Sequence, residues 1–482
     1  MSTRSRSFAR PPAAAAWPAW AIVVLLGGTG IAAGGPFADP FGTDSALRDL
    51  VPGIAAPDGR ECRVPATPLS LAVAVDLALC RNPATRSSWA AARQQAAALG
   101  IAESARLPTL AATGSATGTE GAVGAGVPDA TPSQRTTDAA LSLSWMLYDF
   151  GGREAKIRGA RRLLDAAAAT ADSVSQQTVL AAVEAFYGVV AADASLGAAR
   201  TAEEAAAKSL DVARGRRDAG VATRADVLQA ETAFDQAVLA RVQADGTLAS
   251  SRGALAVTIG EQADRSLQLD AAPVPAEVPA VTRRVADLMA EAARQRPDLA
   301  AALAARDAAA ADVTAARATG RPSISVGAAR NYVDTTGLTS QNYNSVGISV
   351  AWPLFTGFNT TYRVRQAQAA LAASEANAEQ IRLNVSLDVW NADAALDSAG
   401  QQLRASAALL ASAAENAQLA LGRYRAGAGT IVDVLTAQSA LAGARQQRIA
   451  AERAWQVARA QLALALGRLR SAEPLTARGD TP

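Results

Sequence analysis

The 482-residue chain is long enough for two or three domains, yet its composition does not supply two or three thick cores. Half of it is hydrophobic but only 4% is aromatic, and much of the apolar share is Ala, which buries little area at roughly 25 cal/mol per Å2 and strongly favours helix. Histidine is absent, Cys62 and Cys80 are the only cysteines, and 46 Lys and Arg balance 44 Asp and Glu. These counts exclude His-based catalysis, zinc and haem chemistry, Cys-ligated clusters and a nucleic-acid footprint.

At the N-terminus Arg4, Arg6 and Arg10 precede a short apolar stretch, residues 19–31, and the small residues Ala32, Ala33, Gly34 and Gly35. Residues 1–34 read as a secretory signal peptide, with a membrane anchor as the other reading, for which the stretch is short. No Cys follows to support a lipoprotein anchor. Residues 35–68 form an extension, in which export permits a Cys62–Cys80 disulfide; two unpaired thiols are the alternative. Past the leader no run of about 18 apolar residues is found, which leaves any membrane crossing to strands.

An internal duplication then organises the chain. Trp145-Met-Leu-Tyr returns as Trp352-Pro-Leu-Phe, displaced by 352 − 145 = 207 residues. The segment from Ala219 through Gly220, Thr223 and Asp226 to Ala230 returns at the same displacement from Ala426 through Gly427, Thr430 and Asp433 to Ala437, and Gly260 returns as Gly467. Earlier, Asn82-Pro83 matches Arg296-Pro297 and Leu107-Pro108 matches Arg321-Pro322 at 321 − 107 = 214, so one loop between Pro108 and Trp145 carries the seven-residue difference.

No Pro lies between Pro132 and Pro273 or between Pro353 and Pro474, so both stretches can be helical almost throughout, broken at Gly220 and at Gly427 and Gly429. The first repeat, 69–270, is expected to hold a helix, a β-hairpin at 109–147, a long helix at 153–219 and a helix at 224–260. A Pro-rich linker, 271–282, leads to the second repeat, 283–470, with its hairpin at 323–352, long helix at 358–426 and helix at 430–468; a tail, 471–482, follows. Each long helix spans on the order of 100 Å at 1.5 Å per residue. Val179, Val183, Phe186 and Val190 mark an amphipathic face, which a solitary coiled-coil rod would also show.

The hairpins are not rod-like. Ala139, Leu141, Leu143, Trp145 and Leu147 alternate with Ser142 and Ser144, and Val346, Ile348, Val350 and Trp352 alternate with small or polar residues. Weaker partner strands run over 109–119 and 323–331, with polar loops at 118–137 and 332–344. Strands with one apolar face and a terminal aromatic fit a transmembrane β-barrel, but bacterial barrels start at about eight strands, so four require further copies; three chains give twelve. Soluble hairpins capping a helical bundle remain the alternative.

Two repeats of helix, hairpin, very long helix, small turn and helix, with Trp-Pro-Leu-Phe-Thr-Gly at 352–357 and Gly-Ala-Gly-Thr-Ile-Val-Asp-Val-Leu at 427–435, resemble the TolC-type outer-membrane factor family over residues 69–469. The resemblance implies a mainly α fold with a small β part: a homotrimer whose twelve-stranded barrel in outer-membrane lipid continues as an α-helical tunnel across the periplasm. It implies docking to a periplasmic adaptor protein and an inner-membrane transporter, of the ABC or another type. Export of a protein or small-molecule cargo follows, as type I secretion of a toxin like that of adenylate cyclase-haemolysin, cyclolysin, or as multidrug efflux. A pore-free periplasmic adaptor or rod is the competing class. No enzyme activity, catalytic residue, cofactor, metal or nucleic acid is implied.

The turns at Gly220, Thr223, Gly427 and Thr430 lie farthest from the strands and form the tunnel entrance. By resemblance Asp226 and Asp433 line its aperture and Tyr424 holds it closed. Their plainer readings are a capping box in each turn and a packed Tyr. Gly429 and Thr436 stand where a close family member has Arg and a second Asp, so the locking salt bridge and doubled acidic ring do not carry over. Trp145 and Trp352 are expected as interfacial anchors of the barrel, or as ordinary packing residues.

Overall fold

The computed structural model describes residues 39–43, 45, 47, 62, 68–120, 133–265, 267–270 and 284–471. The proposed leader, most of the 35–68 extension, the linker at 271–282 and the tail from 472 onward lie outside the described residues. Residues from Phe41 onward form one compact unit, and everything below concerns that unit.

From Leu71 onward the described residues form, in order, α1 (Leu71–Arg81), α2 (Pro83–Ser104), β1 (Thr109–Glu120), β2 (Ser133–Tyr148), α3 (Gly152–Asp218), α4 (Arg224–Thr258), α5 (Val285–Gln295), α6 (Pro297–Ala318), β3 (Ser323–Thr335), β4 (Gln341–Ala351), α7 (Asn359–Arg425) and α8 (Ile431–Ala465). Both α3 and α7 have 67 residues, about 100 Å each. Prolines open α2 and α6 at the first helical turn, where a missing N–H costs nothing.

One half of α3 runs beside α2 and α6, and the other half beside α4 and α8; α7 likewise packs on α6 and then on α8. The shorter helices meet end to end midway. Asn82 Nδ2 donates to the Thr258 carbonyl at 3.0 Å, and Arg296 Nη1 reaches the Ala465 carbonyl at 3.5 Å. At these junctions a Cβ on Gly260 would sit 2.7 Å from Arg81 Cβ, and one on Gly467 would sit 2.6 Å from the Gln295 carbonyl oxygen, so only glycine fits.

The largest core cluster sits at this equator, where Val179, Val183, Phe186 and Val189 of α3 pack against Val75 and Leu77 of α1 and Leu248 and Leu255 of α4. Val190 is only partly buried and Val189 takes the inward position. The apolar residues of α3 are interrupted by Asp172, Glu184 and Asp193, so no unbroken run of 18 occurs in it, although the helix is apolar along much of its length. By length and composition it would cross a membrane, but its large apolar side chains serve the equatorial core.

The four strands form a single antiparallel sheet in the order β1-β2-β3-β4. The two hairpins share one register under the two displacements: Thr109 pairs with Ser144 as Ser323 pairs with Ala351, and Leu110 with Leu143 as Ile324 with Val350. The strands continue further into the polar segments than alternation indicates, so the loops are shorter than 118–137 and 332–344. Arg330, Tyr332 and Asp334 still pair with β2, because ladder hydrogen bonding does not need an apolar face. Leu147 departs from the expected alternation. The register shifts between Met146 and Tyr148, so Leu147 is the extra residue of a β-bulge and Tyr148 stands opposite Ile324.

Between strand and long helix each repeat uses two consecutive left-handed residues, Phe150 (φ 53°) and Gly151 (φ 88°) in the first and Gly357 (φ 58°) and Phe358 (φ 65°) in the second. The Phe rings are braced edge-to-face by Tyr148, with centroids 4.8 Å apart, and by Phe355, 5.6 Å apart.

Candidate functional site

The two helical turns remote from the sheet are built alike. At Gly220 (φ 76°) the N–H donates to the Arg217 carbonyl and that of Val221 to Arg216, both at 2.9 Å. At Gly427 (φ 79°) the N–H donates to Tyr424 at 3.1 Å and that of Ala428 to Arg423 at 2.9 Å. This paired i−3 and i−5 pattern is the Schellman stop, which requires a left-handed residue that glycine supplies without strain. The next helix starts three residues later in both turns. Thr223 N donates to Asp226 Oδ2 at 2.8 Å while Asp226 N donates to Thr223 Oγ1 at 3.2 Å. Thr430 N donates to Asp433 Oδ2 at 2.9 Å while Asp433 N donates to Thr430 Oγ1 at 3.2 Å. Both are reciprocal capping boxes with Asp in place of the usual Glu or Gln.

Side chains distinguish the two turns. Tyr424 is 4% exposed in a cluster with Leu210, Ala213, Val227, Ile431 and Val434. Burial pushes its hydroxyl above the ordinary tyrosine value, opposed by the Arg216 cation and reinforced by Asp226. Arg216, on α3, lies with its guanidinium carbon 4.7 Å from the Tyr424 ring centroid and donates from Nη1 to the Tyr424 carbonyl at 2.7 Å. It therefore joins the last turn of α3 to the last turn of α7. Close by, Gln438 Nε2 donates to Ser209 Oγ at 2.8 Å, tying α8 to α3. Asp226 is thus within electrostatic reach of Tyr424, whereas exposed Asp433 stays with its own turn. Hydrogen bonds from Thr430 hold its carboxyl below the usual value, with a smaller contribution from the Arg423 charge.

Arg216 escapes sequence reasoning. Two basic residues in a last helical turn read as complements to the helix dipole, and its partner lies 208 residues away.

At the other end the sheet has two chemically different faces. Leu110, Leu143, Ala328 and Val346 share one cross-sheet row, and Trp145, Val326 and Ile348 the next. Val346, Ile348 and Val350 are 81, 72 and 66% exposed. The opposite face carries Ser115, Asp138, Thr136, Thr335, Ser325 and Ser349, with Ser115 Oγ donating to Asp138 Oδ2 at 3.0 Å and the Ser325 and Ser349 hydroxyls 2.8 Å apart. Trp145 and Trp352 stand at the helix-proximal ends of β2 and β4. The Trp145 indole N–H donates to the Arg106 carbonyl at 2.9 Å, and Trp352 is 61% exposed. Cys62 and Cys80 are joined as a disulfide with Cα atoms 6.3 Å apart, and Arg81 Nη1 donates to the Cys62 carbonyl at 3.1 Å.

The family model described as outer membrane efflux protein matches residues 74–261 and 288–468. Protein CyaE of Bordetella pertussis is 31% identical over 424 residues, covering 86% of this chain and 87% of the relative. Outer membrane protein TolC of Vibrio cholerae is 26% identical over 270 residues, covering 55% of this chain and 61% of that protein. Among solved structures the outer-membrane channel OprN superposes with a TM-score of 0.72 at 24% identity, over 82% of this chain and 89% of OprN. With two repeats matched in tandem and one fold shared throughout, the chain belongs to the outer membrane efflux protein family, the TolC-type channels of the outer membrane.

Proposed function

We propose that three copies of this chain form one conduit, with a twelve-stranded barrel in the outer membrane and an α-helical tunnel in the periplasm, through which an inner-membrane transporter and its periplasmic adaptor export a protein toxin by type I secretion. The observation that carries the conduit is the four-stranded sheet, apolar on one face and polar on the other, whose outer edges at β1 and β4 have no strand partner among the described residues. A membrane-embedded ladder cannot leave such edges open. The sheet continues into helices long enough to span a wide aqueous compartment, and exposed apolar residues on α4 (Leu228, Leu239, Val242) and α7 (Leu383, Leu387, Trp390) offer flanks for neighbouring copies. The likeness to CyaE along most of both chains favours toxin secretion over multidrug efflux.

In this reading Trp145 and Trp352 anchor the barrel at the periplasmic interface, and the turns bearing Asp226 and Asp433 surround the entrance. Tyr424 with Arg216 keeps that entrance closed, and the Cys62–Cys80 bridge ties the N-terminal extension to α1. The reading assigns transport and no chemical reaction.

Reconstitution into planar bilayers tests the pore: discrete conductance steps are expected, and a non-conducting protein absent from outer-membrane extracts defeats the proposal. Deleting the gene tests the cargo. Loss of a secreted protein with unchanged drug sensitivity supports toxin export, and the converse result establishes efflux.

A further inference from the structure

We propose the register in which one copy's β4 joins the next copy's β1: Trp352 opposite Ala112, then Ala351 opposite Thr113, Val350 opposite Gly114, Ser349 opposite Ser115, Ile348 opposite Ala116 and Gly347 opposite Thr117. The inference rests on the trimer reading above and adds the residue-level pairing of its seam.

The duplication supplies the pairing. Under the displacements of 207 for β2 to β4 and 214 for β1 to β3, both hairpins have the same register residue for residue. The seam already present inside the chain is β2 with β3, the second strand of one hairpin against the first strand of the other: Trp145 opposite Val326, Leu143 opposite Ala328, Ser142 opposite Ala329, Leu141 opposite Arg330. The seam between copies, β4 with β1, joins the same two kinds of strand. Carrying β2 forward by 207 and β3 back by 214 converts the observed seam into the proposed one. Strand direction agrees as well, because an even number of alternating strands leaves β4 antiparallel to the next β1.

The register keeps faces consistent and is further supported by side-chain size. All eight residues from Ser345 to Trp352 keep their faces: Trp352, Val350, Ile348 and Val346 meet residues on the same side as Leu110, while Ala351, Ser349, Gly347 and Ser345 meet the polar side. A slip of one residue would reverse every side chain. Sizes also complement. The large apolar side chains of Val346, Ile348, Val350 and Trp352 fall opposite Gly118, Ala116, Gly114 and Ala112, all of them Gly or Ala, and on the polar side Ser345 meets Thr119 and Ser349 meets Ser115. Pro353 occupies the position equivalent to Met146 and has no N–H to donate, so the seam ends at Trp352.

Cysteine pairs in the full-length protein test the register. Ser349→Cys with Ser115→Cys probes the polar face, and Ile348→Cys with Ala116→Cys the apolar face. Adjacent pairs alternate in hydrogen bonding, so one of the two is the close, non-hydrogen-bonded kind. Mild oxidation of outer-membrane preparations is expected to give covalent trimer on non-reducing gels from at least one of these pairs. Controls displaced by two residues, Ser349→Cys with Thr113→Cys or with Thr117→Cys, should give about tenfold less, because disulfides tolerate Cα separations of only about 4.4–6.8 Å. Native mass measurement of the same samples separates the two levels of failure. Preferential cross-linking of a displaced control, or no cross-link in any pair while the trimer is intact, overturns the register. Absence of a trimer in the unmodified protein overturns the reading beneath it.

Discussion

The two turns at the proposed entrance share a backbone and differ in what they hold. Both stop a 67-residue helix on a left-handed glycine and start the next with a Thr–Asp capping box. Yet the residue four before Ala428 is a buried Tyr424 under the Arg216 guanidinium, while its counterpart in the first repeat, 424 − 207 = 217, is an exposed Arg217 paired with Asp218. Turn geometry is thus a repeated structural requirement, and the asymmetry lies in the side chains that lock it. A clasp exists where α3 meets α7 within one chain. The equivalent place between copies would set Arg423 against Arg217, two like charges.

The largest test of this contrast is Tyr424→Ala. Removing a buried aromatic costs about 3–5 kcal/mol in the affected packing, so amide exchange around Leu421 and Ile431 should accelerate and single-channel conductance should rise. Arg217→Ala should leave both unchanged, and equal responses would erase the distinction. Gly427→Val and Gly220→Val come next. A branched residue in the left-handed region costs on the order of 1–2 kcal/mol, and with nothing within 4 Å of either added Cβ the penalty is conformational and should be the same at both turns in thermal unfolding. Thr430→Ala and Thr223→Ala should each lose about 1 kcal/mol of capping, read as fraying of the following helix.

The smallest effect is with pH. The Asp433 carboxyl is depressed by the Thr430 hydrogen bonds, so the stability it contributes is present above the unfolded aspartate value and is lost as pH falls through the lower folded value. Exchange at Ile431–Asp433 should increase over that acidic window, and Asp433→Asn should flatten the response.

Legibility in the sequence followed the range of each interaction. The Thr-x-x-Asp caps and the glycine stops were readable because their bonds close within five residues. The duplicated Trp145 and Trp352 located both hairpins. Alternation is lost over Arg330–Thr335, where Tyr332 and Val333 lie on opposite faces among polar residues although pairing continues, and at Leu147, where the bulge breaks the period of two. Arg216 was hidden because its partner belongs to the other repeat. The large apolar side chains of α3, a helix that length and composition would let cross a membrane, belong to the equatorial core.

The left-handed pair before each long helix has a mechanical consequence. Phe150–Gly151 and Gly357–Phe358 are elbows at the root of levers about 100 Å long. At that arm length one degree of rotation at the elbow moves the far turn by about 1.7 Å. Thermal play in two dihedral angles would therefore blur the entrance by more than a hydrogen-bond length within a few degrees. Placing a bulky Phe where glycine would be freer, and bracing it with Tyr148 or Phe355, exchanges some local strain for angular stiffness.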